Sequence, residues 1–264
     1  MININQATEE FTKYTHSFDM NNPLLKYKHE HSLSTMKRSK QIAISLRLSK
    51  EDVELAELIG LLHDIGRFYQ LTKYNNWADV DTENHGSLAV QYLFEQGNIR
   101  KYISNNEDDH IIKVAVANHN LFQIEAGLSE RELLHAKIIR DADKLDILYQ
   151  LSMSNTNNFE NKCHKHEYIR KNIYNEVLKG NPLRFAQGMN NVERSICIYG
   201  YISDIYFPYT RQEILDNNYY QQVLAIDKEY LNNKTYEQVL VLAKNANERL
   251  KKLVEEDKNV RKLG

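Results

Sequence analysis

A histidine and an aspartate stand side by side at the end of an apolar stretch, in Leu61-Leu62-His63-Asp64-Ile65-Gly66-Arg67. Burying an imidazole and a carboxylate there without partners is costly. A metal ion satisfies both, because imidazole nitrogen and carboxylate oxygen are good ligands for borderline divalent cations. One such dipeptide is weak evidence, since a polar pair at a helix end reads the same way. The rest of the chain adds to it. His31 lies 32 residues before His63, and His85 lies 21 residues after Asp64. His119 closes a further apolar segment, and Asp143 sits inside IIRDADKLDIL at 138–148. Each falls on or beside a separate apolar segment, where His or Asp is otherwise unwelcome. The chemistry open to such a set is that of bound cations, which polarise a phosphoryl oxygen and acidify a water.

Helices must carry these residues. Ser49 with Asp52 is a variant of the capping box and opens a helix through Val53, Leu55, Ala56, Ile59 and Leu62, with Gly66 placed to end it. Asp81 or Thr82 is placed to cap a helix through Leu88, Ala89, Tyr92 and Leu93 that stops near Gly97. Ile111, Ile112, Ala115 and Val116 mark a third, ending near Asn118. Ser129 and Glu132 form a full capping box ahead of a long helix carrying Leu133, Leu134, Ile138, Ala142, Leu145 and Leu148. Thr235 and Gln238 are placed to cap a last helix with Val239, Leu242, Ala246, Leu250 and Leu253 as its apolar stripe. Nine glycines and three prolines in 264 residues supply too few turn formers for a sandwich or barrel of short strands. The expected fold class is therefore all-α. A Ser- and Asn-rich stretch at 152–161 marks a boundary between a helical core, residues 1–151, and a helical C-terminal extension, residues 152–264. The two are expected to pack as one compact unit, with the core carrying the metal site. The Tyr-rich run at 198–210 reads as core packing or as a wall against a base.

Composition narrows the partners. Hydrophobic residues at 42% and charged residues at 27% are ordinary for a globular chain. The formal charge of −2 provides no basic field for a long nucleic acid or an anionic membrane. No run of eighteen apolar residues suggests a membrane span, and the start shows no secretory pattern. Two cysteines, Cys163 and Cys197, make no disulfide framework, so a cytoplasmic location is expected. Cys163, His164 and His166 hint at a metal tract but lack a second pair. His29, His110 and His135 have no setting like that of His63.

In ensemble the chain resembles the HD-domain superfamily of metal-dependent phosphohydrolases, known by a spaced His, His-Asp, Asp pattern on a helical bundle. Here those residues are His31, His63, Asp64 and Asp143, the last within Ala142-Asp143-Lys144-Leu145. His85 and His119 match the two further histidines of dinuclear members. The resemblance runs from about residue 27 to 150. HDIGRFYQL at 63–71, ENHG at 83–86, NHN at 118–120 and RDADKLD at 140–146 are similar to a bacterial subgroup of HD proteins. Ser34 stands where many members carry Arg, and Tyr69 where the subgroup often has Glu. The resemblance implies an HD-domain helical bundle that acts on phosphate esters.

The residues also build that chemistry directly. Four neutral imidazoles and two carboxylates are a fair ligand set for two divalent ions. Asp64 can bridge them, with His31, His63 and Asp143 on one ion and His85 and His119 on the other. Fe, Mn, Co, Ni and Zn accept this mix, whereas Ca and Mg prefer oxygen alone. Two such ions suit a phosphate, and a hydroxide between them is the expected nucleophile. Arg67 is placed to grip a phosphate by its planar fork, or to form a structural ion pair. Lys144 is placed to reach the phosphate or the hydroxide, or to be a solvated helix residue. Asn120 is placed to orient substrate or to end its helix. Asp141 and Asp146 read as supporting groups, with Arg140 pairing one of them. The expected activity is hydrolysis of small phosphorylated metabolites, nucleotides first, by a protein that does not bind long nucleic acid and can be a homodimer. The alternatives are a symmetrical dinucleoside-tetraphosphate hydrolase and a di-iron oxygenase acting on a polyol or phosphonate.

Overall fold

A computed structural model of the chain describes residues 2–153, 165–183 and 186–263. All regular structure among the described residues is helical. The chain forms two compact units, Met1–Asp146 and Ile147–Gly264.

The first unit begins with α1 (Ile4–Thr15), α2 (Pro23–Ser45) and α3 (Lys50–Leu62). Asn22 caps α2 and Pro23 opens it, a position where the missing N–H costs nothing. Ser49 caps α3 as the sequence predicts, its hydroxyl accepting from the Asp52 amide. Gly60 lets α3 approach α2 closely: a Cβ there would lie 2.8 Å from the Met36 Cα and 2.9 Å from the Thr35 carbonyl oxygen. The helix ends at His63, and Gly66 opens α4 (Gly66–Tyr74) instead of serving as a left-handed stop. Its absent side chain makes room for the next helix, since a Cβ would sit 2.3 Å from the His85 carbonyl oxygen and 2.6 Å from the Ala89 nitrogen.

That next helix is α5 (His85–Val90), capped by Asn84 rather than by Asp81 or Thr82. It runs on as a π-turn, Gln91–Glu95, and the chain turns at Gly97 with φ 72°. Then come α6 (Asp109–Asn118) and α7 (Glu130–Met153), the latter opened by reciprocal bonds between Ser129 and Glu132 and passing into the second unit at Ile147. The apolar core of this unit includes Phe11, Leu58, Leu62, Phe68, Leu93, Ile112 and Ile139, all fully or nearly fully buried.

The second unit contains α8 (Lys171–Leu178), α9 (Asn191–Ser195), a 3-10 stretch Ile196–Asp204, α10 (Pro208–Asp216), α11 (Tyr219–Asp227) and α12 (Asn233–Leu263). Asn232, not Thr235, caps α12: its side chain accepts from the Thr235 amide. Of the Tyr-rich run, Tyr199 is buried against Tyr220, with ring centroids 5.6 Å apart. Glu193 is buried and paired with Arg170 at 2.6 Å, which fixes the start of α9. Cys197 is buried, and burial pushes its thiol up to about 12, so it is an inert packing group. Cys163 and His164 of the cysteine–histidine tract lie outside the described residues. No described helix is long and apolar enough to cross a membrane.

Candidate metal centre

Two helix interiors and three helix ends bring the chemistry-bearing side chains together inside the first unit. His31 comes from α2, His63 and Asp64 from the turn after α3, and His85 from the first position of α5. His119 comes from the residue that ends α6, and Asp143 from within α7. His31, His63, Asp64, His85 and His119 are all buried. Asp64 stands between two pairs of imidazoles. Its Oδ2 is 3.7 Å from His31 Nε2 and 3.6 Å from His63 Nε2. Its Oδ1 is 3.2 Å from His85 Nε2 and 3.6 Å from His119 Nε2. Asp143 joins the first pair, with Oδ1 at 3.1 Å from His31 Nε2 and 3.8 Å from His63 Nε2. Two overlapping groups therefore meet metal-binding geometry, His31–His63–Asp64 and Asp64–His85–His119, each with its ligand atoms within 4.8 Å of one another.

Every one of the four rings is fixed from behind through Nδ1. The acceptors are Asp146 Oδ2 for His31 at 2.7 Å and the Gly60 carbonyl for His63 at 2.8 Å. For His85 the acceptor is Asp79 Oδ2 at 2.7 Å, and for His119 the Val116 carbonyl at 2.7 Å. A carbonyl or carboxylate can only accept, so each Nδ1 carries a proton and each Nε2 is the ring nitrogen turned toward the centre, where a bound cation would take its lone pair. His63 Nε2 is buried with no hydrogen-bond partner. His85 Nε2 and His119 Nε2 face each other at 2.9 Å. An orphaned buried acceptor and a facing pair of acceptors are both costly unless a cation meets them. The donor set, four imidazole nitrogens and carboxylate oxygens in a buried place, fits divalent transition-metal ions.

Electrostatics keep the Asp64 and Asp143 carboxylates ionised and favour neutral His63 and His85, whereas they favour the charged form of His31. Burial opposes ionisation of Asp64, but the Lys28 ammonium and the surrounding histidines hold its carboxyl well below the ordinary range. Asp143 is likewise held down against burial, chiefly by the hydrogen bond from His31. Burial pushes His63 down to about 3 and lowers His85, with Arg67 adding to the effect at His85. Burial and Lys28 pull His31 down, yet its bonds to Asp143 and Asp146 outweigh them and raise it to about 9.

The remaining sequence candidates fall in different places. Arg67 lies at the start of α4 with Nε 3.6 Å from Asp64 Oδ1. Its NH1 donates to Gln70 Oε1 at 2.7 Å, to Asp79 Oδ1 at 3.1 Å and to the Trp77 carbonyl. Asn120 does not cap α6, which ends at His119. Its Nδ2 lies 3.0 Å from Asp79 Oδ2 and 3.1 Å from His85 Nδ1. Lys144 is nearly buried, and its ammonium lies 3.4 Å from the Arg140 carbonyl one turn back. Arg140, expected to pair an aspartate, donates from NH1 to the carbonyls of Asn118, His119 and Leu121 at 2.8, 3.3 and 2.6 Å. It thus holds the turn that presents His119. Asp146 supports His31, and Arg38 and Ser34 donate to its other oxygen.

Two further residues of the centre, Lys28 and Asp79, carry little or no sequence signal. Lys28 is buried, with Nζ 2.6 Å from Asp64 Oδ2. Its signal is its place three residues before His31, which puts it on the same helix face. The Lys28 ammonium also lies 5.6 Å from the Tyr27 ring centroid and 5.8 Å from that of Trp77. Asp79 is the other. It sits in the loop between α4 and α5, where no periodicity marks it.

Residues 29–148 match the family model described as HD domain. That span contains all six of His31, His63, Asp64, His85, His119 and Asp143. The family is in general one of metal-dependent phosphohydrolases. No match was found among curated proteins or among solved structures.

Proposed function

We propose, from the premise that the chain belongs to the HD-domain superfamily through residues 29–148, that it hydrolyses phosphate esters of small phosphorylated metabolites, nucleotides first. The observation that carries this reading is the division of Asp64. Its Oδ2 faces His31 and His63, and its Oδ1 faces His85 and His119, at 3.2–3.7 Å. That is how a carboxylate shared by two cations is arranged. His31, His63, Asp64 and Asp143 would hold one divalent transition-metal ion, and Asp64, His85 and His119 the other. When bound, such ions supply Lewis-acid polarisation of the phosphoryl oxygens and a water acidic enough to attack near neutral pH.

The chain's own residues do the rest. Asp64, Asp79, Asp143 and Asp146 crowd the centre with negative charge, which phosphate approaches only once cations offset it. Lys28 keeps Asp64 ionised. Arg67, anchored through NH1, is held beside Asp64 with its charge directed at the centre, where it stabilises a phosphoryl group. The Nδ1 acceptors behind all four imidazoles keep the rings from turning as charge develops. The net charge of −2 supports a small soluble substrate over a polynucleotide.

The test is a phosphatase panel of mononucleotides, dinucleoside polyphosphates and sugar phosphates. It is run on protein loaded in turn with Mn, Co, Ni, Fe and Zn, beside oxygen uptake by the iron form. Metal-dependent phosphate release that is lost in Asp64→Ala supports the reading. Oxygen consumption without phosphate release, or cleavage restricted to long RNA or DNA with a steep salt dependence, overturns it.

A further inference from the structure

The two imidazole pairs are buttressed in different ways. Asp146 receives His31 Nδ1 at 2.7 Å, Arg38 Nε at 3.0 Å and the Ser34 hydroxyl, all of them from α2. Asp79 collects donors from separate parts of the fold. Its Oδ2 receives His85 Nδ1 at 2.7 Å and Asn120 Nδ2 at 3.0 Å. Its Oδ1 receives Arg67 NH1 at 3.1 Å and Gln70 Nε2 at 2.9 Å. Gln70 is fully buried and also donates to Thr82 Oγ1 and the Glu83 carbonyl, so the loop that carries Asp79 is fastened to α4.

We propose that Asp79 is a positioning residue that binds the His85–His119 cation position and the substrate-side Arg67 and Asn120 into one unit, while Asp146 serves the His31–His63 position alone. The proposal rests on the reading of two cation positions about Asp64. A carboxylate offers about four lone-pair directions. Side-chain donors from four residues fill those of Asp79, so it acts through His85, Arg67, Asn120 and Gln70 rather than as a ligand. Because every partner is a donor, an amide cannot replace it. Whichever way an asparagine turns, its NH2 meets a donor. Placed against His85, that NH2 takes the Nδ1 lone pair, moves the ring proton to Nε2 and removes the lone pair that faces Asp64. Placed on the other side, it expels Arg67 or Gln70.

Mn2+ binding is measured by equilibrium dialysis with elemental analysis on the wild type, Asp79→Asn and Asp146→Asn. The wild type should take two ions. Asp79→Asn should weaken one of them by about ten- to a hundredfold, the usual cost of losing such a support, and Asp146→Asn should weaken the other. In a His119→Ala background, where the His31–His63 position remains, Asp146→Asn should still weaken Mn2+ binding and Asp79→Asn should not. With both ions saturating, inorganic phosphate should bind more weakly to Asp79→Asn than to Asp146→Asn, because only the former disturbs Arg67 and Asn120. Asp79→Ala is the second variant if the amide does not fold. It leaves a gap that water can enter at a side chain 27% exposed. Two undiminished ions in Asp79→Asn and Asp79→Ala, or a loss that Asp79→Asn and Asp146→Asn share, overturns the proposal and leaves the function standing. A wild type that never takes more than one ion overturns the two-cation reading and the proposal with it.

Discussion

Replacing Gly66 by alanine adds one methyl group where the fold has no space. The Cβ would lie 2.3 Å from the His85 carbonyl oxygen, 2.6 Å from the Ala89 nitrogen and 3.0 Å from the Leu88 Cβ. Ordinary contact is about 3.4 Å or more, and the two nearest atoms are backbone, so no side chain can swing aside. The ends of α4 and α5 must separate by about 1 Å, at a cost of roughly 1–3 kcal/mol for overpacking. For a chain of this size that is a melting temperature lower by about 3–10 °C. The strain also reaches the metal centre. His85 is the first residue of α5, and its Nε2 sits 3.2 Å from Asp64 Oδ1 and 2.9 Å from His119 Nε2. Such sites tolerate displacement of only about 0.5 Å. The Gly66→Ala protein should therefore bind the Asp64–His85–His119 ion at least tenfold more weakly, measured by Mn2+ titration beside calorimetric melting of the chelated and loaded forms. Gly97→Ala separates the two uses of glycine. Gly97 has φ 72° and nothing within 4 Å of its Cβ position, so alanine there costs about 1–2 kcal/mol of backbone strain and should leave metal binding unchanged. A Gly66→Ala protein that melts within a degree of wild type and binds metal equally well would refute the close-approach argument.

Chelation of the loaded wild type should lower its melting temperature by about 5–10 °C, since an ion held at a hundred times its dissociation constant contributes about 2.7 kcal/mol. Unchanged melting would count against metal binding by the native fold. Arg67→Ala should lower kcat/KM on the best phosphate ester by about ten- to a hundredfold with metal content intact, the loss of one charge-assisted phosphate contact. Arg140→Lys keeps the charge but not the fork that reaches the Asn118, His119 and Leu121 carbonyls. It should cost about 1–3 kcal/mol in denaturant unfolding and weaken the His119-side ion. Wild-type behaviour in both assays would show that a lysine can satisfy that turn. Burial lowers the pKa of His135 below its usual 6.5, against the pull of Asp52, so the folded protein takes up its proton later than the unfolded chain. The stability carried by neutral His135 is thus complete above about pH 6.5 and lost as the pH falls through that value toward the folded one. The slope of stability between pH 7 and 5 should be shallower in His135→Gln, and equal slopes would remove His135 from the acid response.

Much of this protein is decided by local rules that a sequence carries on its face. Ser49 before Asp52 and Ser129 before Glu132 specify where two helices begin, because hydroxyl and carboxylate satisfy amides that a helix start leaves open. Four histidines and two aspartates on or beside apolar helical segments announce a buried centre, because no apolar segment keeps such groups without partners. Scarce glycine and proline exclude a fold of many short strands. Local rules misread Gly66, which looks like a helix stop. Its function is to admit the His85 backbone, and that neighbour is distant in the chain. They misplace the caps of α5 and α12 by a few residues, because Asn84 and Asn232 compete with nearby Asp and Thr side chains that can also accept from a first-turn amide. Lys28 and Asp146 are half-legible, each one helical turn from a ligand. Asp79 is not legible at all. It lies in an irregular loop, and its meaning comes from four donors that only the tertiary fold brings to one carboxylate. The same holds for the division of Asp64 between two pairs of imidazoles. Sequence order names the six residues, but which oxygen faces which ring is set by how α2, α5, α6 and α7 pack about the turn that follows α3.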